Sequence, residues 1–221
     1  MQIQQITTNI KGADNVTTGC SSGARIWGNR NWSAGYVASS NIGVMESGAR
    51  LDVNTNTFKA DGADAKVLSS TRNISADTNS GGFIAGDNNI AFGKEVGRYV
   101  GNDKTALSKS SENIAIGSNS GRFIKNNYNV ALGCGAGADG DILDRTKSIS
   151  QGYQATAYTN DSIAVGSDAK AGTKGSKTAV NAIAIGAGAQ ATAKDSISVG
   201  TGTAHKLKNT SSYHYHLTHL N

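Results

Sequence analysis

A four-residue unit recurs along the second part of this chain and limits what the chain can fold into. Its copies are Ile90-Ala91-Phe92-Gly93, Ile114-Ala115-Ile116-Gly117, Val130-Ala131-Leu132-Gly133, Ile149-Ser150-Gln151-Gly152, Ile163-Ala164-Val165-Gly166, Ile183-Ala184-Ile185-Gly186 and Ile197-Ser198-Val199-Gly200. A second stretch of small residues follows, as in Gly166-Ser167-Asp168-Ala169-Lys170-Ala171 and Gly186-Ala187-Gly188-Ala189-Gln190-Ala191. The terminal glycines are spaced 24, 16, 19, 14, 20 and 14 residues apart. The shortest spacing reads as the bare repeat, and the others as that repeat with 10, 2, 5 and 6 residues looped out.

In Ile-Ala-Ile-Gly the branched residues fall on one face of a strand and Ala on the other, a period of two. The pattern predicts a strand facing a narrow core, with its large apolar side in and its small side out. The closing Gly permits a turn that a β-branched residue resists, and the Ala- and Ser-rich stretch predicts a return strand. One repeat cannot bury its apolar face alone. Stacked as rungs of a parallel solenoid at about 4.8 Å each, the units make a rod of roughly 29 Å. An outer face of Ala, Ser and Gly invites close approach of a second rod, so a homo-oligomer is expected.

Composition agrees with an all-β rod. The 221 residues include 28 Gly and no Pro, with aromatics at 6% and charged residues at 17%. Gly interrupts the apolar stretches, against the long helices of an α/β enzyme. Collagen would need Pro and Gly at every third position, and the recurrent Ile, Val and Ala runs argue against disorder. The net charge of +5 is diffuse and lacks a dense basic face interleaved with aromatics, so nucleic acid is not an expected partner. No membrane insertion is expected either, since no stretch reaches the eighteen or so apolar residues of a span. Cys20 and Cys134 form no Cys-x-x-Cys pair and are expected to be buried small side chains.

The units Asn113-Ile114-Ala115-Ile116-Gly117, Asp161-Ser162-Ile163-Ala164-Val165-Gly166 and Asn181-Ala182-Ile183-Ala184-Ile185-Gly186, the last followed by Ala187-Gly188-Ala189-Gln190-Ala191, resemble the head repeats of YadA-like trimeric adhesins. Similar repeats occur in trimeric bacteriophage fibres. The resemblance covers about residues 82 to 204 and implies a left-handed parallel β-roll assembled as a homotrimer. The chain departs from it in four insertions, in a polar Gln151 where a core aliphatic is expected, and in having no coiled-coil stalk or barrel anchor. With Met1 followed by Gln-Ile-Gln-Gln-Ile and no leader, these features favour a complete virion fibre over the excised head of a bacterial autotransporter adhesin.

Three regions are expected: residues 1–80 as a β-rich attachment region, 81–204 as the head-repeat roll and 205–221 as a C-terminal tip. In the first, Trp27, Trp32 and Tyr36 either stack on sugar rings or pack in an interface with a sister chain or a virion docking protein. In the tip, His214 and His216 point the same way on an extended strand, and three chains around one axis supply six imidazoles. That set suits iron or another octahedral transition metal, and the His-x-His pair resembles the iron-binding element of some phage fibre and spike tips; the alternative is a solvated tail. His205 and His219 lack a paired spacing.

Lys170, Lys174 and Lys177 form either a belt that attracts acidic host-surface glycans or a solvated edge. Asp139, Asp141 and Asp144 read as a turn, without a full calcium loop. Gly-Arg-Tyr at 97–99 and Gly-Arg-Phe at 121–123 place an Arg at equivalent corners of two rungs. Catalysis has no sequence support, since all four His lie in the last seventeen residues and no nucleophile elbow or phosphate loop is present. The expectation is a structural and adhesive fibre of the virion, or else a bacterial cell-surface adhesin, with a polysaccharide-depolymerising spike as the enzymatic alternative.

Overall fold

The computed structural model describes residues 9–19, 22, 25–36, 38, 41–42, 49–52, 57–60, 70–97, 100, 110–137, 143–175, 179–201 and 203–204. Its strands are short. The first are β1 (Asn9–Lys11), β2 (Val16–Thr18), β3 (Arg25–Trp27), β4 (Trp32–Ala34), β5 (Asn41–Ile42), β6 (Ala49–Asp52), β7 (Thr57–Ala60), β8 (Ile74–Ala76), β9 (Phe83–Ile84) and β10 (Ile90–Phe92). There follow β11 (Ile114–Ile116), β12 (Ile124–Lys125), β13 (Val130–Leu132), β14 (Leu143–Asp144), β15 (Ile149–Gln151) and β16 (Thr156–Ala157). The last are β17 (Ile163–Val165), β18 (Lys170–Ala171), β19 (Ile183–Ile185), β20 (Gln190–Ala191), β21 (Ile197–Val199) and β22 (Thr203–Ala204).

The first strand of each rung joins one ten-stranded parallel sheet in the order β2-β4-β8-β10-β11-β13-β15-β17-β19-β21. The return strands form the opposite wall in three ladders, β1-β3-β5-β9, β12-β14 and β16-β18-β20-β22. β6 and β7 pair only with each other, as an antiparallel hairpin inserted after β5. The chain is therefore an all-β parallel solenoid. The sheet runs unbroken across residue 80, because β4 pairs directly with β8 and β8 with β10.

The faces are the reverse of the sequence expectation. The middle residue of each first strand points inward, and Ser33, Ser75, Ala91, Ala115, Ala131, Ser150, Ala164 and Ala184 are buried. The flanking branched residues point outward; Ile116 retains 44% and Ile185 42% of its accessible surface. The two walls stand too close for facing Ile columns, so small side chains fill the core. Gln151 is consequently no core anomaly, since it lies exposed on the outer face of β15. Cys134, expected to be buried, is exposed because it follows Gly133 in the corner after β13. Cys20 lies outside the described residues.

Two kinds of rung stack in this roll. Paired residues lie 16 apart in Val16↔Trp32, Ile74↔Ile90 and Ile114↔Val130, but 14 apart in Ile149↔Ile163 and Ile183↔Ile197. The two residues that looked like a loop between Gly117 and Gly133 therefore belong to a larger regular rung. Larger rungs bury Ile26, Ile84, Val100 and Ile124 from the return wall, whereas the apolar cluster of the smaller ones is Ala alone, beside buried Ser and Thr. Space for Ile124 depends on Gly121, where a Cβ would sit 2.6 Å from Ala115 Cβ and 3.0 Å from Ile124 Cδ1.

A column of asparagines runs up the larger rungs just before each first strand. Asn31, Asn73, Asn89, Asn113 and Asn129 each donate both N and Nδ2 to the Oδ1 of the Asn one rung earlier, at 2.9–3.1 Å. The second Nδ2 proton goes to a backbone carbonyl: Ser70 for Asn31, Gly86 for Asn73, Ser110 for Asn89 and Arg145 for Asn129. Ser148 closes the column by donating N and Oγ to Asn129 Oδ1 at 3.2 and 2.7 Å. Two donors and two acceptor sites per amide are thereby used, so the buried column carries no orphan.

The rung size changes at Arg145, and there the return wall breaks between β14 and β16. Arg145 is fully buried, donating from Nη1 to Ala157 O and from Nη2 to Gly137 O at 3.3 Å, while its Nε makes no hydrogen bond. These two carbonyls lie at the broken ladder, so the guanidinium serves as their donor in place of a strand. Burial pushes the Arg145 pKa down from the ordinary guanidinium value to about 10, with Tyr158 opposing the shift in part. Arg145→Ala is expected to cost about 3 kcal/mol, through the void and two orphaned carbonyls. Arg145→Met fills the void without burying a charge and is expected to cost less than half as much; denaturant titration of both variants measures the difference.

Candidate functional site

The outer face of the ten-stranded sheet presents two columns of side chains. The first contains Val16, Trp32, Ile74, Ile90, Ile114, Val130, Ile149, Ile163, Ile183 and Ile197, in register through the strand pairs. The second runs Thr18, Ala34, Ala76, Phe92, Ile116, Leu132, Gln151, Val165, Ile185 and Val199. At about 4.8 Å per rung the nine steps span roughly 43 Å. Such an aliphatic stripe is more than a soluble single chain normally exposes. No other described surface is comparably apolar.

The rest of the surface is polar and set by the corners. After every first strand but β8, where Asp77 takes the place, the chain turns through a Gly with positive φ, and a left-handed residue follows, as at Gly117 and Asn119 or Gly166 and Asp168. A second left-handed corner precedes each first strand, at Arg30, Arg72, Asn88, Glu112, Tyr128, Lys147 and Asp161 among others. There the side chain one residue earlier caps the previous rung: Asn29 Oδ1 accepts from Ala13 N at 2.7 Å and Asp87 Oδ1 from Thr71 N at 2.7 Å. Ile42 and Ser70, Val100 and Ser110, and Gly175 and Ala179, the described residues flanking three longer stretches of sequence, lie between a return strand and this corner, on one edge of the roll.

Residues 146–169 and 178–203 each match the YadA head domain repeat. The chain carries YadA head repeats. Both copies lie in the part with 14-residue rungs, and the first begins directly after Arg145, where the larger rungs end. No curated protein and no solved structure matches the chain. The larger rungs share with the YadA head repeats their first strand, its inward small residue and its closing turn, although the family match does not extend to them.

The structure distributes the sequence-predicted site residues over several elements. Trp27 lies in β3 of the return wall, Trp32 in the outward aliphatic stripe, and Tyr36 exposed in the corner after Gly35. The first two therefore belong to opposite walls. Lys170 is exposed in β18 and Lys174 in the turn that follows, on the edge carrying the insertions. Lys177, His214 and His216 lie outside the described residues, as do His205, His219, Asp139 and Asp141; Asp144 is paired with Lys125 in β14. Gly97 and Gly121 do occupy equivalent corners, at φ 55° and 57°. Arg122 there pairs with Glu95 at 3.9 Å and stacks on Phe123, whereas Arg98 is outside the described residues.

Among the described residues no three His, Cys, Asp or Glu side chains come together as a metal site, and no helix is long and apolar enough to cross a membrane. Sequence reading missed three copies of the first-strand unit, Val16-Thr17-Thr18-Gly19, Trp32-Ser33-Ala34-Gly35 and Ile74-Ser75-Ala76-Asp77. A signal was present: Asn15, Asn31 and Asn73 stand directly before them, as Asn89, Asn113 and Asn129 stand before later copies.

Proposed function

We propose that the chain is an adhesive fibre in which three left-handed rolls pack their aliphatic stripes around a common axis, attaching a bacteriophage to its host by receptor binding without catalysis. The outward Ile, Val and Leu stripe carries the reading: it needs a cover, and identical parallel rods bury it symmetrically. The YadA head repeats within it support an extracellular adhesin-like role. Light scattering is expected to give the mass of three chains. Ile185→Asp, which places a charge in the stripe one rung from its C-terminal end, is expected to shift that mass toward the monomer while the β-rich circular dichroism spectrum persists. A parent protein of single-chain mass overturns the trimer.

In this reading residues 1–80 dock to the virion, with Trp27 and Tyr36 in that attachment while Trp32 packs in the stripe between sister chains, and the edge with the three insertions faces the receptor. Three equivalent weak sites bind through avidity. Lys170, Lys174 and Lys177 draw acidic glycans to that edge, so their combined replacement by Glu is expected to lower attachment to host cells at least tenfold, read by binding of labelled protein. His214 and His216 of three chains hold one iron or similar ion at the tip; elemental analysis well below one transition-metal ion per three chains refutes that assignment.

A second reading, the head of a bacterial surface adhesin, is favoured by the YadA repeats themselves. It is distinguished by the target: extracellular-matrix proteins bind a bacterial adhesin, whereas bacterial surface glycans bind a phage fibre. Release of reducing ends from capsule would indicate a depolymerase instead.

A further inference from the structure

From Ile90 to Val199 the two outward columns are aliphatic or aromatic at every position but one. The exception is Gln151, exposed on β15 with Leu132 on one side in register and Val165 on the other. Its side-chain amide makes no hydrogen bond within the chain's described residues. On a surface repeating every 4.8 Å or so, a sister chain sliding by one rung sets aliphatic side chain on aliphatic side chain again. Shape and hydrophobicity alone therefore leave several docking heights of similar energy.

One amide removes that degeneracy. We propose that Gln151 sets the axial register of the assembled chains, pairing its amide with the Gln151 amides of sister chains at the same height; this rests on the reading of the stripe as a homotrimer interface. Each amide carries both donor and acceptor, so three around an axis can donate in a ring. A chain displaced by one rung brings its Gln151 against Leu132 or Val165 of a neighbour and leaves buried amides unpaired, a penalty an all-aliphatic stripe lacks. A single polar residue in an apolar seam fixes alignment in coiled coils by the same physics, at some cost in stability.

The test uses the full chain with Cys20→Ser and Cys134→Ser, and Val165→Cys as reporter one rung from Gln151. With Gln151 in place, same-height thiols oxidise to a disulfide between two of three chains, giving up to about two thirds of the chains as dimer on a non-reducing gel. Adding Gln151→Leu is expected to keep the trimer mass while lowering that dimer yield at least twofold as displaced heights appear. An unchanged yield, or no dimer with either residue, overturns the register role while a trimer mass leaves the stripe reading intact. A monomeric mass for the reduced parent instead removes the trimer, and this inference with it.

Discussion

The Asn89→Ala protein is expected to melt about 10 °C below its parent. Asn89 sits in mid-column, donating N and Nδ2 to Asn73 Oδ1, giving its second Nδ2 proton to Ser110 O and accepting from both N and Nδ2 of Asn113. Truncation removes four bonds made by the side chain and leaves their buried partners without replacement. At about 1 kcal/mol per bond the loss is roughly 4 kcal/mol, and a domain of this size loses about 2–4 °C per kcal/mol. Asn89→Asp has nearly the same shape and is expected to be worse at neutral pH, because a buried carboxylate would face Asn73 Oδ1 and Ser110 O. Its folded pKa is raised above the usual value near 4, so the folded state holds the proton more tightly; stability is greatest below about pH 4 and falls as pH rises toward the folded pKa. Thermal melts across pH separate the two variants, and a flat profile for Asn89→Asp contradicts the buried column.

Gly166→Ala is expected to be at least as damaging. Gly166 has φ +127°, and a Cβ there would lie 2.5 Å from Gly186 O and 2.6 Å from Gly186 C, both backbone atoms of the next rung. That rung cannot retreat freely, since Ile163 to Val165 pair with Ile183 to Ile185 and Gly186 N donates to Val165 O at 2.8 Å. Relief would mean opening the parallel ladder, so a loss of about 4 kcal/mol or failure to fold is expected. Gly188→Asn is the control: the site has φ +66° with nothing within 4 Å of a Cβ, and Asn119 already occupies the equivalent corner at φ 57°. Its stability is expected to change by less than about 1 kcal/mol. Equal losses at both glycines would refute the close-approach explanation.

These residues also mark where sequence reasoning reached and where it stopped. Alternation in Ile-Ala-Ile-Gly revealed the strand, its closing turn and the stacking of rungs, because period and glycine are local properties. Which face lies inside is not local. Large side chains usually point to a core, but this core is the gap between two close walls and admits Ala and Ser. The unit before residue 80 escaped notice because Thr17, Ser33 and Ser75 replace the inner Ala, Trp32 replaces an aliphatic and Asp77, at φ 88°, replaces the Gly. Asn89 carries no local mark of its role, since its ladder exists only once equivalent residues stand in register 16 or 24 positions away. Arg145 was unreadable for a related reason: its burial follows from a change of rung size that no short window of sequence contains.

The break between β14 and β16 has a mechanical consequence. Hydrogen bonds in a parallel solenoid run along the rod, so tension applied end to end is carried in series from rung to rung. Most junctions between small rungs are held by ladders on both walls, as between β17-β18 and β19-β20. The junction at Arg145 has a strand ladder on the first wall only, with the backbone bonds from Gln154 N to Cys134 O and Gly137 N to Ala155 O, the guanidinium and the end of the asparagine column supplying the remainder. A roll pulled end to end is therefore expected to yield at a junction of this kind before it yields where strands pair on both walls.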